Sequence, residues 1–267
     1  PRPGLPTAAR GPQTTNDLAQ ALRLPSMHLR SVAILLGASL LAACADPKVP
    51  LAEGPREYAP TDYEIVLDRW TRSDNLVTAT ELDNVLSVTA TYESWDFRWA
   101  YVVRYADDYR LTVDQRRSLL ERSLAESRTA HTFYVALYAQ RHKWGDLMAD
   151  NPAWIVRLID DQGNETAPAE IEAIKKPGAI ERTYFPYTTP WRSAYRIRFP
   201  QTHSDGRPTL SKTASWIGLR FAGAQGNQAL VWEVERPSQR RVCHMSGGVI
   251  VFDCLLPLVP SGTPRTA

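Results

Sequence analysis

Ser215-Trp216-Ile217-Gly218-Leu219-Arg220-Phe221 and Gln228-Ala229-Leu230-Val231-Trp232-Glu233-Val234 flank the segment Gly223-Ala224-Gln225-Gly226-Asn227. Two alternating runs on either side of a glycine-bearing connection predict a β-hairpin. Working outward, Tyr195 to Phe199 alternates between prolines, and Ala153 to Ile159 places Trp154, Val156 and Leu158 on one face before a turn at Asp160-Asp161-Gln162-Gly163. In Thr132 to Ala139, Phe133, Val135 and Leu137 alternate with Tyr134, Ala136 and Tyr138. Asn84 to Ser94 puts Leu86, Val88, Ala90 and Tyr92 together. Asp96 to Tyr105 does the same for Phe97, Trp99, Tyr101, Val103 and Tyr105, so it reads as a further strand joined through Glu93-Ser94-Trp95-Asp96 as a hairpin. The pattern from Tyr63 onward is chiefly that of strands. One helix interrupts it near residues 112–129, where Thr112 and Gln115 form a capping-box pair and Leu119, Leu120 and Leu124 make an apolar stripe. Its Arg116, Arg117, Glu121, Arg122 and Glu126 read as a solvated face.

Seven or so short strands at this spacing, several carrying a tryptophan, predict a mainly β chain: a β-sandwich domain over residues 62–235 with a short helical insertion. In pattern it resembles immunoglobulin-like envelope domains. No internal repeat is convincing, and the body matches no named family by its motifs.

Ahead of this body stands Met27 to Cys44. A positive head with Arg30, an apolar run from Ser31 to Leu40 and small residues before a cysteine make a secretory signal peptide, residues 27–43. The run is shorter than the roughly 20 apolar residues that span a bilayer. Leu41-Ala42-Ala43-Cys44 resembles the lipobox of bacterial lipoproteins at all four positions. The resemblance implies that Leu41, Ala42 and Ala43 are read by a dedicated signal peptidase, that the Cys44 thiol takes a diacylglycerol, and that its new amino terminus takes an N-acyl chain. Together such chains anchor a protein stably, at about 0.8 kcal/mol per buried methylene. Residues 1–26, rich in Pro, Ala, Thr and Gln, read as a disordered extension from an over-long gene-start assignment. Residues 44–61, with five prolines and glycines, read as a flexible tether that holds the body off the membrane. Ala45, rather than an aspartate, follows Cys44, which by resemblance to the sorting rule of enteric bacteria favours the outer membrane.

The tail, residues 236–267, holds Cys243 and Cys254. Export leaves them as an even pair in an oxidising compartment, and a disulfide between them is favoured over two free thiols.

Composition narrows the function classes. Residues 1–43 carry four of the 31 basic side chains and one of the 29 acidic ones, so the remaining chain has a net charge of −1. No strong field for nucleic acid survives maturation. Metal and nucleophile motifs are missing: there is no His-Glu-x-x-His, Cys-x-x-Cys, phosphate-binding glycine loop or Gly-x-Ser-x-Gly. No catalytic residue, metal ligand or cofactor other than the acyl groups is assigned; His131, His142, His203 and His244 are far apart, and Asp160-Asp161 reads as a plain turn rather than a calcium loop. Two stretches could carry recognition. In Tyr184-Phe185-Pro186-Tyr187-Thr188-Thr189-Pro190-Trp191, the rigid aromatics Tyr184, Phe185, Tyr187 and Trp191 suit a partner protein or glycan, although a loop folded back over the sandwich is favoured. His142 to Met148 is an irregular crossover with an apolar centre. The expected function is therefore a lipid-anchored, non-enzymatic binding or scaffold module of the cell envelope, in contact with the membrane through its anchor. The alternatives are an envelope-polymer hydrolase using acids such as Asp107, Asp108 or Asp146, and a lipid carrier with an apolar cavity.

Overall fold

The structure, a computed structural model, describes residues 47–77 and 84–235. The acyl-site residues Leu41, Ala42, Ala43 and Cys44 and the cysteines Cys243 and Cys254 lie outside them. Among the described residues, nine strands form two antiparallel sheets packed as a sandwich, so the chain is mainly β as expected. The strands are β1 (Thr71–Val77), β2 (Asn84–Tyr92), β3 (Ala130–Ala139), β4 (Ile155–Asp160), β5 (Glu165–Thr166), β6 (Glu170–Ile174), β7 (Ser193–Pro200), β8 (Trp216–Gly223) and β9 (Gly226–Glu233). One sheet runs β1-β2-β3-β7-β6 and the other β5-β4-β8-β9. This order does not confirm the immunoglobulin-like subtype.

The predicted hairpin is present as β8–β9, closed by Ala224-Gln225 with Gly223 opposite Gly226. Any side chain at Gly223 would collide with the Ala153 carbonyl, and Gly226 has φ +138°, which is why glycines stand at both ends of this turn. Alternation then builds the core. Leu86, Val88, Ala90 and Tyr92 of β2 align with Ala139, Leu137, Val135 and Phe133 of β3, and Val135 and Phe133 with Tyr195 and Ile197 of β7. That face meets Val156, Leu158, Ile217, Leu219, Phe221, Leu230 and Trp232 of the second sheet, all buried. Phe133 lies 5.5 Å from Trp232, ring centre to ring centre. Such rings pack between the two sheets.

β2 and β3 are buried on both faces, and the reason is a third layer. Four helices contribute: α1 (Tyr63–Trp70), α2 (Trp95–Asp108), α3 (Val113–Ser127) and α4 (Ala179–Tyr184). α3 is the expected insertion, with Thr112 Oγ1 accepting from Gln115 N at 3.3 Å and Gln115 Oε1 accepting from Thr112 N at 2.9 Å. α1 and α2 correct the strand readings of Tyr63 onward and of Asp96 to Tyr105. Ser94 Oγ accepts from Phe97 N at 3.1 Å and starts α2, so Glu93-Ser94-Trp95-Asp96 is a helix entry rather than a hairpin. Phe97, Ala100, Val103 and Ala106 recur every three residues on its buried side, while Tyr101, Tyr105 and Tyr109 stack along it at centroid distances of 5.9 and 4.3 Å.

From Pro47 the segment read as a flexible tether is docked on the body. Val49 is fully buried in a parallel bridge to Val234. Its N donates to Glu233 O at 2.7 Å. Further along, Gly54 O accepts from Trp95 Nε1 at 2.7 Å, and Arg56 and Tyr58 reach Asp96.

Asp96 is the junction of this layer. Its carboxylate, 1% exposed, accepts from Arg56 Nε at 2.7 Å, Tyr58 OH at 2.7 Å, Trp70 Nε1 at 2.9 Å and Arg69 Nη1 at 3.4 Å. Burial works against its ionised form, but the hydrogen bonds from Trp70, Tyr58 and Arg56 outweigh it and hold the pKa below the usual carboxylate value. Tyr58 moves the other way, up to about 12, chiefly through burial and then through its bond to Asp96. Asp96→Ala would strand Trp70 Nε1 and leave two guanidinium groups without their counter-charge. It is expected to cost about 3 kcal/mol of unfolding free energy in urea titrations; a cost under about 1 kcal/mol would contradict this assignment.

Candidate functional site

The aromatic loop begins where α4, only six residues long, stops before Pro186. Three of the four aromatics singled out for recognition are spent inward. Phe185 stacks on Tyr134 of β3 at 3.9 Å with the rings 5° from parallel. Tyr187 OH is 2.6 Å from Thr91 Oγ1, and Tyr134 OH is 2.9 Å from Thr188 Oγ1. Tyr184 donates from its OH to Asp108 Oδ2 at 2.9 Å, while its carbonyl accepts from Tyr63 OH at 2.5 Å. The loop thus covers the outer face of the five-stranded sheet. Trp191 is different: it is 84% exposed.

Beside Trp191 opens a cleft of about 780 Å³. Both stretches picked from the sequence contribute to it: Thr189, Pro190 and Trp191 from the loop, His142 and Gly145 from the crossover. The crossover is itself fastened, since Gly145 O accepts from Tyr195 OH at 2.7 Å and Leu147 is buried. Lys175 and Lys176, which follow edge strand β6, join Arg182 of α4 and Arg192 on the lining, and among the described residues no Asp or Glu lies there. Arg192 is positioned by its N donating to Thr189 O at 3.2 Å. Its guanidinium donates to Thr89 Oγ1 at 2.7 Å and to Ser87 Oγ at 3.3 Å. Burial lowers its pKa, with a smaller opposing effect from Tyr187. The cations were not flagged by sequence because they come from three separate elements; the pair Lys175-Lys176 and the step Trp191-Arg192 were the available signals.

The other candidates have structural partners. Asp107 pairs with Arg110 at 3.2 Å, Asp108 with Arg104 at 2.9 Å, and Asp146 Oδ1 accepts from Met148 N at 3.0 Å. Asp160 organises its turn by accepting from Gln162 N and Asn164 N, both at 3.0 Å, and ties it to Ser211 N at 2.9 Å. Asp161 accepts from Ser215 N at 2.9 Å and from the Ser215 hydroxyl. Among the described residues, no group of three or more His, Cys, Asp or Glu is placed to hold a metal ion. His142 lines the cleft, and His203 Nε2 is 3.3 Å from Thr166 Oγ1. His131 is buried, its Nδ1 2.7 Å from Tyr92 OH and 3.4 Å from Gln201 Nε2; a neutral ring that keeps Nδ1 as acceptor suits both.

Neither a protein family nor a curated protein matches the chain. Among solved structures, it is similar to the crystal structure of a novel protein of unknown function from Burkholderia pseudomallei K96243. The identity is 11%, the match covers 65% of this chain and 82% of that one, and the TM-score is 0.33. A likeness of that size carries no argument about function.

Two outcomes follow from the geometry. Phe185→Ala should cost about 3 to 4 kcal/mol of stability, whereas Trp191→Ala should change it by less than about 0.5 kcal/mol; equal costs in urea unfolding would show that Trp191 is part of the packing. For His131, burial lowers the pKa to about 4, against about 6.5 in an unfolded chain. The unfolded state therefore takes up a proton that the folded state refuses. Stability from this group is complete above about pH 6.5 and declines as pH falls toward 4, by about 2 to 3 kcal/mol between pH 7 and pH 4.5. Asp96 acts only below that window, because its pKa is depressed below the usual carboxylate value. His131→Gln should flatten the decline, and an unchanged slope would refute the assignment.

Proposed function

We propose that this chain is a lipid-anchored protein of the cell envelope whose β-sandwich body is a non-enzymatic binding module, with the Trp191 cleft as its recognition site. The observation that carries the reading is the division of the aromatic loop. Tyr184, Phe185 and Tyr187 are used to fasten it, while Trp191 is left in solvent at the mouth of a cation-lined cleft. A large rigid aromatic loses little side-chain entropy on contact and covers much area, which is why such residues anchor binding sites.

The anchor rests on the lipobox resemblance at Leu41 to Cys44, with diacylglycerol and an N-acyl chain on Cys44 and the outer membrane favoured.

Two measurements in a bacterial host test the proposal. Mass spectrometry of the membrane fraction should find residues 1–43 removed and acyl chains on Cys44, and Cys44→Ala should abolish both; an unlipidated product beginning before Met27 would refute the anchor. A photo-crosslinking amino acid at position 191 should give a discrete adduct that the same probe at exposed Val113 does not give. Absence of any adduct at 191 would refute the recognition site.

A further inference from the structure

We infer that the Trp191 cleft takes an acidic saccharide, a sugar bearing a carboxylate or phosphate group; this rests on the reading of that cleft as the recognition site. Three features of the lining point to this chemistry.

The first is the condition of Arg192. Guanidinium groups taken partly out of water are normally met by a carboxylate, because the loss of hydration must be offset. On the same face of the sheet, Arg98 and Arg196 share Glu93, at 3.2 and 3.3 Å. Arg192 is half-buried, its donors are met by the neutral hydroxyls of Thr89 and Ser87, and among the described residues no carboxylate lies within ion-pair distance. The depression of its pKa by burial agrees with a charge that lacks a counter-ion.

The second feature is the sign of the whole wall. Among the described residues, Lys175, Lys176 and Arg182 have no ion-pair partner either, and no acid lines the cleft. The body as a whole is nearly neutral, so this is a local segregation of charge. Planar guanidinium suits a carboxylate or phosphate, and the lysines add less directional charge.

The third feature is Trp191 itself, adjacent in sequence to Arg192 on a segment stiffened by Pro186 and Pro190. An indole in solvent beside cations offers a flat apolar face next to a charge clamp. A saccharide ring presents both counterparts: a patch of C–H groups for the indole and an acid for the guanidinium. The shape selects a ligand over a bilayer, since about 780 Å³ of concave space is the size of a small-molecule site rather than of a convex membrane-docking patch.

Isothermal titration of the full chain with tetragalacturonate, mannose 6-phosphate and the neutral maltotetraose tests the inference. At least one acidic probe should bind, with maltotetraose at least tenfold weaker. Trp191→Ala should weaken acidic binding at least tenfold at an unchanged melting temperature. The double variant Lys175→Gln/Lys176→Gln should both weaken binding and reduce its dependence on salt. Arg192→Gln should abolish binding, and the lysine variant keeps the test decisive if that protein misfolds. Equal affinity for neutral and acidic sugars would overturn the inference. So would retention on phosphatidylglycerol vesicles, lost in the tryptophan and lysine variants, with no saccharide bound; the partner would then be a lipid surface. If no saccharide binds while the crosslink at position 191 still forms to a protein, the acidic-sugar inference fails and the recognition site stands. If the crosslink is absent too, both fail.

Discussion

A carboxylate with almost no exposure cannot stay ionised without several donors around it, and Asp96 has four. The donors come from two stretches of the chain and the acceptor from a third. Arg56 and Tyr58 belong to the N-terminal segment, Arg69 and Trp70 to the end of α1, and the acceptor itself to the first turn of α2, where the helix dipole also favours a negative charge. One buried charge therefore fixes the entry of the chain and both helices with respect to each other. Trp70, held there, passes the constraint on: its carbonyl accepts from Trp232 Nε1 at 2.9 Å, and its ring meets Tyr92 at 5.6 Å. The polar junction and the apolar core are in this way one structure.

With the helical layer in place, the outer face of the five-stranded sheet is buried, and the aromatic loop completes the cover. Phe97, Tyr101 and Tyr63 of the helices meet Phe185 and Tyr184 of the loop, and Phe185 meets Tyr134 of the sheet. Such contacts are directional as well as apolar, so they set where the loop ends. It ends with Trp191 in solvent and Arg192 drawn back to Thr89 and Ser87. The cleft is a consequence: the floor is β3 and β7, one wall is the end of β6 with its lysines, and the rim is the loop.

Much of the sandwich was legible because its strands alternate cleanly and its hairpin carries glycines where the turn demands them. The cap of α3 was legible for a similar local reason. α2 was not. Trp95 to Asp108 places aromatic and apolar residues at 97, 99, 101, 103 and 105, which satisfies a period of two. The same segment places them at 97, 100, 103 and 106, which satisfies a helix, and the deciding signal was Ser94 as cap. β1, Thr71 to Val77, is a mostly polar edge strand, so it lacks the apolar face that marks its neighbours. The proline-rich stretch before residue 61 looked like a tether because its attachments follow no period of strand or helix: Val49 in a bridge, Gly54 O on Trp95, and Arg56 and Tyr58 on one acid. At the cleft, the exposed tryptophan came from a stretch already singled out, but the cations gather only in three dimensions.

Asp96 couples the N-terminal segment to the helical layer that shapes the outer face. Amide hydrogen exchange, read by mass spectrometry on the wild type and on Asp96→Asn, measures that coupling directly. Peptides covering 47–62 and 94–108 should lose protection together in the variant, while peptides covering 130–139 and 216–223 keep theirs. Unchanged protection of 47–62 in the presence of a loosened α2 would contradict it, because the segment would then be held by contacts that do not pass through Asp96.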